Sequence, residues 1–116
     1  MAFSSRAKVL QFGVSDQIYG CVTSDMEVPD GGILTLSKFI QPRVEPEISF
    51  VLKNDISEPR PAHELLRSVE AIAVTLDVID SRFRDFKFSL LDVVADNSSH
   101  AAYTLGTWRP AATASR

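Results

Sequence analysis

The sequence predicts a small α+β domain in which two well-marked β-strands are joined by polar loops and short helices. The first strand is the alternating stretch 44–52 (VEPEISFVL), and the second is the almost wholly apolar stretch 71–79 (AIAVTLDVI). Short helical patterns lie at 61–70 and 91–95. A chain of 116 residues is long enough for one domain with a modest core.

The composition is that of an ordinary globular protein, and it excludes several kinds of partner. The net charge is −3 with a pI near 5.3, and no run of Lys or Arg marks a nucleic-acid surface. No apolar stretch approaches the roughly 20 residues that span a bilayer, and the sequence shows no secretory signal. The single cysteine, Cys21, excludes an intrachain disulfide and fits a reducing compartment. We therefore expect a cytoplasmic protein that binds neither nucleic acid nor membranes.

The N-terminal third is predicted to hold a short helix and a hairpin. Ser4 or Ser5 can cap a helix that ends at Gly13. The stretch 21–36 reads as two short strands around the turn 29–32 (PDGG), because Pro and Gly supply the backbone angles of tight turns. We therefore expect residues 21–36 to form a β-hairpin.

The strand predicted at 44–52 carries two different faces. Alternation places its apolar residues on one side, and Glu45 and Glu47 on the other. An apolar face predicts that the strand lies in a core, where the two carboxylates repel each other and need a positive partner. The alternative is an edge strand with a solvated acidic face, which Pro46 favours since proline cannot donate to a sheet ladder.

The second half of the chain begins with a helix and a buried strand. Pro61 suits the first turn of a helix that runs to about Glu70, and His63 in that turn is expected to be an exposed surface residue. Asp77 lies inside the apolar stretch 71–79, which is predicted to be buried on both faces. An ionised carboxylate in such surroundings is rarely left without a partner.

The segments after the second strand are predicted to pack and to turn. Asp80 and Arg82 are expected to form a structural ion pair, and the phenylalanines of 83–90 are expected to pack into the core. The run 96–99 (DNSS) is typical of a turn and can also line a site. A last short strand is expected at 103–105.

Three acids stand out as candidate metal ligands: Glu45, Glu47 and Asp77. Three carboxylates from neighbouring strands, with water or substrate in the remaining positions, suit an octahedral Mg²⁺ or Mn²⁺ ion. The sequence has no Cys/His cluster with zinc spacing, no glycine-rich phosphate loop and no G-x-S-x-G nucleophile motif. These residues therefore favour metal-assisted chemistry on an oxygen-rich substrate.

Three short motifs follow one another along the chain: VEPEI at 44–48, DVIDSR at 77–82 and VADNSS at 94–99. Together they resemble the hydratase/decarboxylase family of aromatic meta-cleavage pathways, within the fumarylacetoacetate hydrolase superfamily. This family comprises 2-oxopent-4-enoate hydratases and 4-oxalocrotonate decarboxylases, and the similarity extends to Gly106. The segments 18–32 and 80–88 (DSRFRDFKF) are more similar to the decarboxylases, which favours a decarboxylase over a hydratase.

The resemblance implies a fold, a metal site and a reaction. The fold is expected to be the central fragment of a mixed β-sheet or β-roll with short helices, and the ligands of Mg²⁺ or Mn²⁺ are expected to be Glu45, Glu47 and Asp77. Asp77 stands where the family usually has the longer glutamate, so the metal would have to shift or a water intervene. The implied reaction is the loss of CO₂ from 4-oxalocrotonate (2-oxohex-3-enedioate), where the metal holds the 2-oxo acid and stabilises a dienolate. The alternatives are hydration of 2-oxopent-4-enoate and a catalytically incomplete remnant of either enzyme.

The resemblance also implies partners and a shortened domain. Family members are longer, and their catalytic lysine lies in a K-x-G-L-T-S motif whose end matches 3–5 (FSS), which places that lysine upstream of Met1. The partial hydratase/decarboxylase domain is predicted to span 1–106, with 107–116 as an irregular tail. The expected partners are a small 2-oxo dienoic acid, further copies in an oligomer, and the hydratase of the next reaction step.

Overall fold

A four-stranded antiparallel sheet organises the fold. The computed structural model describes residues 18–111, and the bounds below refer to that range. The strands are β1 (Arg43–Leu52), β2 (Val69–Ile79), β3 (His100–Leu105) and β4 (Arg109–Pro110). β1 pairs with one edge of β2, while β3 and β4 pair with successive parts of its other edge. With the short helices described next, this arrangement confirms the predicted α+β class.

Two short α-helices and several 3₁₀ turns connect the strands. The helices are α1 (Ala62–Arg67) and α2 (Leu90–Ala95). The 3₁₀ turns are Ser24–Met26, Leu36–Lys38, Arg84–Phe86 and Asn97–Ser99. α1 follows Pro61 as predicted, but the N–H of Ser68 closes it on Leu65 O at 3.0 Å, and β2 begins at once. Among the described residues, no helix has the length and apolarity needed to cross a membrane.

The hairpin predicted at 21–36 is wrong, although its turn is right. Gly32 N–H donates to Pro29 O at 2.7 Å, and Gly31 has the positive φ of 74° that glycine adopts without a steric penalty. The segment before the turn, however, pairs with β3, because Val28 N–H donates to Tyr103 O at 2.8 Å. Within residues 18–111, no strand pairing joins the segment before the turn to the residues that follow it.

The prediction that the apolar residues of β1 and β2 are buried is wrong on one side of the sheet. We call this side the apolar face; Val78, opposite Val44, is buried there, and its exposed apolar members are Val44, Ile48, Phe50, Leu52, Ile72, Val74 and Leu76. All seven are between 37% and 63% exposed. The alternative prediction of β1 as an edge strand is the correct one for the described residues, and the missing N–H of Pro46 fits that position.

Small groups of side chains pack around the end of the sheet. Ile18 and Val93 are 5% and 1% exposed, and Phe88 and Leu90 pack against them. Phe86 is 4% exposed, so part of the expected packing of 83–90 is confirmed. The helix predicted at 4–13 lies outside the described residues.

The C-terminal segment contributes one short piece of sheet. Within the predicted tail 107–116, Arg109 and Pro110 form β4 opposite Ile72 and Ala71. The N–H of Ala111 donates to Glu70 O at 2.9 Å and extends this pairing. Residues 112–116 lie outside the described range.

Candidate metal site

The register of β1 and β2 brings the three predicted metal ligands onto one face of the sheet. Glu45 lies directly opposite Asp77, and Glu47 lies opposite Thr75, which is the next position of β2 on the same face. Directly opposed side chains share a face with Cβ atoms about 5 Å apart. We call this side the carboxylate face; its members are Glu45, Glu47, Ser49, Thr75 and Asp77.

Burial on the carboxylate face increases from β1 to β2. Glu47 is exposed and Glu45 is half-buried, whereas Thr75 and Asp77 are only 6% and 7% exposed. The hydroxyl oxygens of Ser49 and Thr75 lie 2.5 Å apart and share a hydrogen bond across the strands. The central strand therefore presents its polar groups to a sheltered environment, in which each needs a partner.

Asp77 has a partner that the sequence interpretation missed, the imidazole of His100. His100 Nδ1 lies 3.1 Å from Asp77 Oδ2 and 3.3 Å from Oδ1, so a single ring nitrogen spans both oxygens. Because an ionised carboxylate only accepts hydrogen bonds, we assign the donor role to Nδ1. Both residues are 7% exposed. The buried carboxylate thus has the hydrogen-bonding partner that its surroundings require.

A β-bulge explains why His100 reaches the carboxylate face. Ala102 is paired with Val78, and alternation alone would put His100 on the same side as Ala102. The bulge between Val78 and Ile79 instead places His100 opposite Ile79, on the side of Asp77. No local sequence pattern marks the bulge, so alternation in the sequence alone gives the wrong face for this histidine.

The motifs at 77–82 and 94–99 contact each other through a charged pair. Arg82 Nη1 lies 3.2 Å from Asp96 Oδ1, and the backbone N–H of Arg82 donates to Asp96 Oδ2 at 3.2 Å. The predicted ion pair between Asp80 and Arg82 is therefore wrong, since Arg82 reaches only the backbone oxygen of Asp80, at 3.4 Å. The two motifs are separate in sequence but form one junction in space.

The Asp80 carboxylate binds the backbone that leads into β1. Asp80 accepts from the N–H of Gln41 at 2.7 Å and from the N–H of Ile40 at 2.9 and 3.1 Å. The side chain of Gln41 in turn donates to Ser81 O at 2.9 Å and to Phe83 O at 2.6 Å. These bonds join the segment before β1 to the segment after β2, which fixes the end of the sheet nearest to Asp77.

The turn before His100 has an uncommon backbone. Asn97, Ser98 and Ser99 have φ values of 51°, 58° and 60°, so three consecutive residues lie in the left-handed region. Asn97 binds Cys21 twice: its Oδ1 accepts from the Cys21 N–H at 2.8 Å, and its Nδ2 donates to Cys21 O at 2.7 Å. Asp80 N–H donates to Ser99 O at 2.8 Å. The predicted turn is confirmed, and these contacts hold the start of β3 beside Asp77.

An aromatic side chain lies beside one end of the carboxylate face. The guanidinium carbon of Arg43, which precedes Glu45 on the same side of β1, lies 3.9 Å from the centroid of the Phe86 ring. The Phe86 ring in turn lies 6.5 Å from the ring of Phe88. A cation and an apolar surface therefore lie next to the carboxylates.

The donor set of the carboxylate face suits a hard cation in its chemistry. Glu45, Glu47 and Asp77 offer only oxygen atoms, as Mg²⁺ and Mn²⁺ prefer. Between residues 18 and 111, however, no three His, Cys, Asp or Glu side chains form a group that could hold an ion. Simultaneous ligation by all three acids therefore requires their side chains to move closer together.

The other histidine is a surface residue, as predicted. The side chain of His63 is 72% exposed, and its Nε2 lies 3.9 Å from Glu64 Oε1. It lies on α1, outside the carboxylate face.

Comparison with known proteins identifies relatives of one kind. No protein-family model matches the chain. A 4-oxalocrotonate decarboxylase of Pseudomonas sp. is 50% identical over 108 residues, which are 93% of this chain and 42% of that protein. A 2-keto-4-pentenoate hydratase of Paraburkholderia xenovorans (strain LB400) is 38% identical over 98 residues, which are 84% of this chain and 36% of that protein.

Solved structures agree with the sequence relatives. The 4-oxalocrotonate decarboxylase of Pseudomonas putida G7 in complex with magnesium and adipate superposes with a TM-score of 0.84 at 39% identity, covering 95% of this chain and 42% of that one. The same enzyme with calcium and acetate gives a TM-score of 0.79 at 36% identity, covering 96% and 41%. The chain thus spans about two-fifths of the relatives that it matches.

These relatives place the chain in one class of proteins. It is homologous to enzymes whose names describe decarboxylation or hydration of small oxo acids. Over the part that it spans, the chain is similar to both the 4-oxalocrotonate decarboxylases and the 2-keto-4-pentenoate hydratases. The resemblance inferred from the three sequence motifs is therefore confirmed.

Proposed function

We propose that the protein acts as a metal-dependent carbon–carbon lyase that converts 4-oxalocrotonate to 2-oxopent-4-enoate with release of CO₂. The observation that carries this proposal is the 50% identity to a 4-oxalocrotonate decarboxylase over almost the whole chain. The hydratase of Paraburkholderia xenovorans is 38% identical over a shorter stretch. The difference supports decarboxylation as the first choice between the two reactions.

We propose Glu45, Glu47 and Asp77 as the ligands of a Mg²⁺ or Mn²⁺ ion. Two observations support this: the three acids share one face of two paired strands, and the related decarboxylase binds magnesium in one structure and calcium in another. A bound divalent ion would supply a Lewis acid for the 2-oxo acid end of the substrate. The chain's own contribution is to place the three acids on one face of a sheet whose end is fixed by Asp80.

The surroundings of the carboxylates suit an anionic substrate with an apolar middle. Arg43 lies beside Glu45 on β1, and its guanidinium carries the charge that a second substrate carboxylate requires. Phe86 next to it offers apolar surface for the hydrocarbon part of a dienoic acid. We assign substrate binding, and no proton transfer, to these two residues. We propose no residue of this chain as a counterpart of the family's catalytic lysine.

Hydration of 2-oxopent-4-enoate is the second candidate function. Several hydratases are 33% to 38% identical to this chain over 98 to 107 residues, and the two reactions begin from the same activation of a 2-oxo acid. A third candidate is an incomplete remnant that keeps the sheet and the metal but lacks the acid–base group. Each of the three predicts a different product pattern.

The proposal extends to fold and assembly. We propose that the sheet is part of the mixed β-roll of the fumarylacetoacetate hydrolase superfamily, which the likeness to the decarboxylase structure supports. We also propose that the protein forms an oligomer and associates with the hydratase that uses its product. The exposed apolar face supports assembly of some kind, since large exposed apolar patches mark interaction surfaces.

The test is a product assay with both substrates in the presence of Mg²⁺ or Mn²⁺. Purified chain is incubated with 4-oxalocrotonate and with 2-oxopent-4-enoate, and CO₂ release and water addition are measured separately. A decarboxylase releases CO₂ from the first substrate and leaves the second unchanged, whereas a hydratase adds water to the second. The Glu45→Gln variant is the control for a metal-dependent reaction.

Each other outcome selects an alternative. Water addition without CO₂ release contradicts decarboxylation and favours the hydratase. A folded chain that binds Mn²⁺, more tightly with oxalate as a mimic of the 2-oxo acid, but turns over neither substrate favours the remnant.

A further inference from the structure

We propose that His100 is a positioning residue for the metal site: its imidazole fixes the orientation of the Asp77 carboxylate that faces the ion. The inference rests on the proposed function only in taking Asp77 as a ligand. It adds a residue that is neither a ligand nor part of the three sequence motifs. His100 acts through Asp77 and does not touch the substrate.

The contact between the two residues is short and buried, and one ring nitrogen contacts both carboxylate oxygens. Nδ1 lies 3.1 Å from one Asp77 oxygen and 3.3 Å from the other, so the N–H points at the carboxylate as a whole. Both residues are only 7% exposed, which means that water does not compete effectively for the bond. Such a bond restricts rotation of the carboxylate, while each of its oxygens keeps a further lone pair that can bind a cation. The movement that joint ligation requires is then made by Glu45 and Glu47 on the edge strand.

A β-bulge and several hydrogen bonds fix the backbone around His100. The bulge opposite Ile79 turns the side chain onto the carboxylate face. The Ser99 carbonyl is held by the Asp80 N–H at 2.8 Å, and Asn97 is held by Cys21 at 2.7 and 2.8 Å. A residue fixed from both its strand and its preceding turn can position a partner with little entropy cost.

The length of the third acid gives the histidine a specific task. Asp77 is one methylene shorter than a glutamate, so its carboxylate has a smaller range of positions from which to reach an ion between itself and Glu45. Hydrogen bonds from outside the ligand set orient metal ligands, and their loss typically weakens metal affinity about 10- to 100-fold. His100 therefore compensates for the short side chain by holding the carboxylate in one orientation.

The test is a calorimetric Mn²⁺ titration of the full chain and four variants, with no dependence on turnover. His100→Ala removes the donor, and His100→Asn keeps an N–H close to the position of Nδ1. His63→Ala is the matched control, because it removes the chain's other histidine at an exposed position. Asp77→Asn tests the ligand itself. We expect His100→Ala to weaken Mn²⁺ binding about 10- to 100-fold, His100→Asn to retain most of the affinity, and His63→Ala to change nothing.

The outcomes separate the two proposals. Unchanged Mn²⁺ affinity in Asp77→Asn, or no binding by the wild-type chain, contradicts the proposed metal site and with it the task of His100. Weak binding in Asp77→Asn with full affinity in His100→Ala contradicts only the role of His100. An equal loss in His100→Ala and His100→Asn also contradicts it, because the donor would then be irrelevant.

A second measurement needs no variant at His100. Long-range ¹H–¹⁵N NMR of the metal-free chain shows which imidazole nitrogen carries the proton, and His63→Ala assigns the two histidine signals. A protonated Nδ1 at His100 is the expected result. A bare Nδ1 with the proton on Nε2 alone contradicts the proposal, since Asp77 would then receive no hydrogen bond.

Discussion

The carboxylate face and the apolar face are formed by the same strands, yet the polar one is the more buried. On β2, Thr75 and Asp77 are 6% and 7% exposed, whereas Val74 and Leu76 beside them are 63% and 43% exposed. On β1, half-buried Glu45 has the exposed neighbour Val44. Between Ile72 and Asp77 of β2 the exposure alternates residue by residue, and the exposed positions are the large apolar ones, which is the reverse of the usual pattern.

The difference between the two faces shows that the burial of a residue depends on what packs over its face as well as on its own polarity. His100 and Phe86 lie against the carboxylate face and shelter its end. Residues 18–111 leave the apolar face largely open, and the chain spans about two-fifths of its relatives. A carboxylate can be buried when a donor accompanies it, and an apolar side chain stays exposed when nothing packs on it.

The largest expected effect is on the buried pair of the carboxylate face. Asp77→Ala leaves the His100 N–H buried without an acceptor, so we expect the free energy of unfolding to fall by about 3 kcal/mol. Leu76→Ala, the neighbouring position on the apolar face, is the matched control and is expected to cost about 1 kcal/mol, because its side chain is already 43% exposed. Urea unfolding followed by circular dichroism measures both. A larger loss in Leu76→Ala than in Asp77→Ala would reverse the comparison.

A smaller effect is expected on the apolar face itself. Val74→Thr and Ile48→Thr keep the β-branched shape while adding a hydroxyl at positions that are 63% and 54% exposed. We expect each to change the free energy of unfolding by less than about 0.5 kcal/mol and to reduce binding of the dye ANS. A cost of several kcal/mol, as for a packed core position, would show that this face is covered in solution.

The smallest effect is expected at the carboxylate of Asp92, which lies on neither face. Hydrogen bonds from the backbone N–H and the hydroxyl of Ser89 hold the pKa of Asp92 below its usual value of 3.8. Because the folded pKa is the lower one, the stabilisation is present above pH 3.8 and is lost as the pH falls through the folded pKa. Asp92→Asn should therefore flatten only the acid limb of stability against pH. A loss that persists unchanged down to pH 2 would contradict this origin.

Much of the fold follows from the sequence because it depends on local patterns. The alternation of 44–52 and the β-rich run 71–79 predicted β1 and β2, and Pro61 predicted the start of α1. Glu45 opposite Asp77 required only that the two strands pair, and the three motifs of the chain carried the family assignment.

The missed features depend on contacts between distant segments. The partner of 27–28 is Tyr103, and the partner of Arg82 is Asp96, neither of which local patterns reveal. His100 was missed because a bulge reverses its face. The sequence did hold one clue, because a buried Asp77 requires a hydrogen-bonding partner. The chain has only two histidines, and His63 lies in an exposed helix, so His100 was the available candidate.

The most direct test of the account is a calorimetric titration of Mn²⁺ into the wild-type chain, Glu47→Ala and Ile48→Ala. These positions are adjacent on β1 but lie on opposite faces of the sheet. A difference between the two variants therefore reports which face binds the metal, and an equal effect reports a general disturbance of the strand. The account predicts that Glu47→Ala loses Mn²⁺ binding while Ile48→Ala keeps the wild-type affinity. Binding that is unchanged in Glu47→Ala, or weakened equally in both variants, would contradict the assignment of the metal to the carboxylate face.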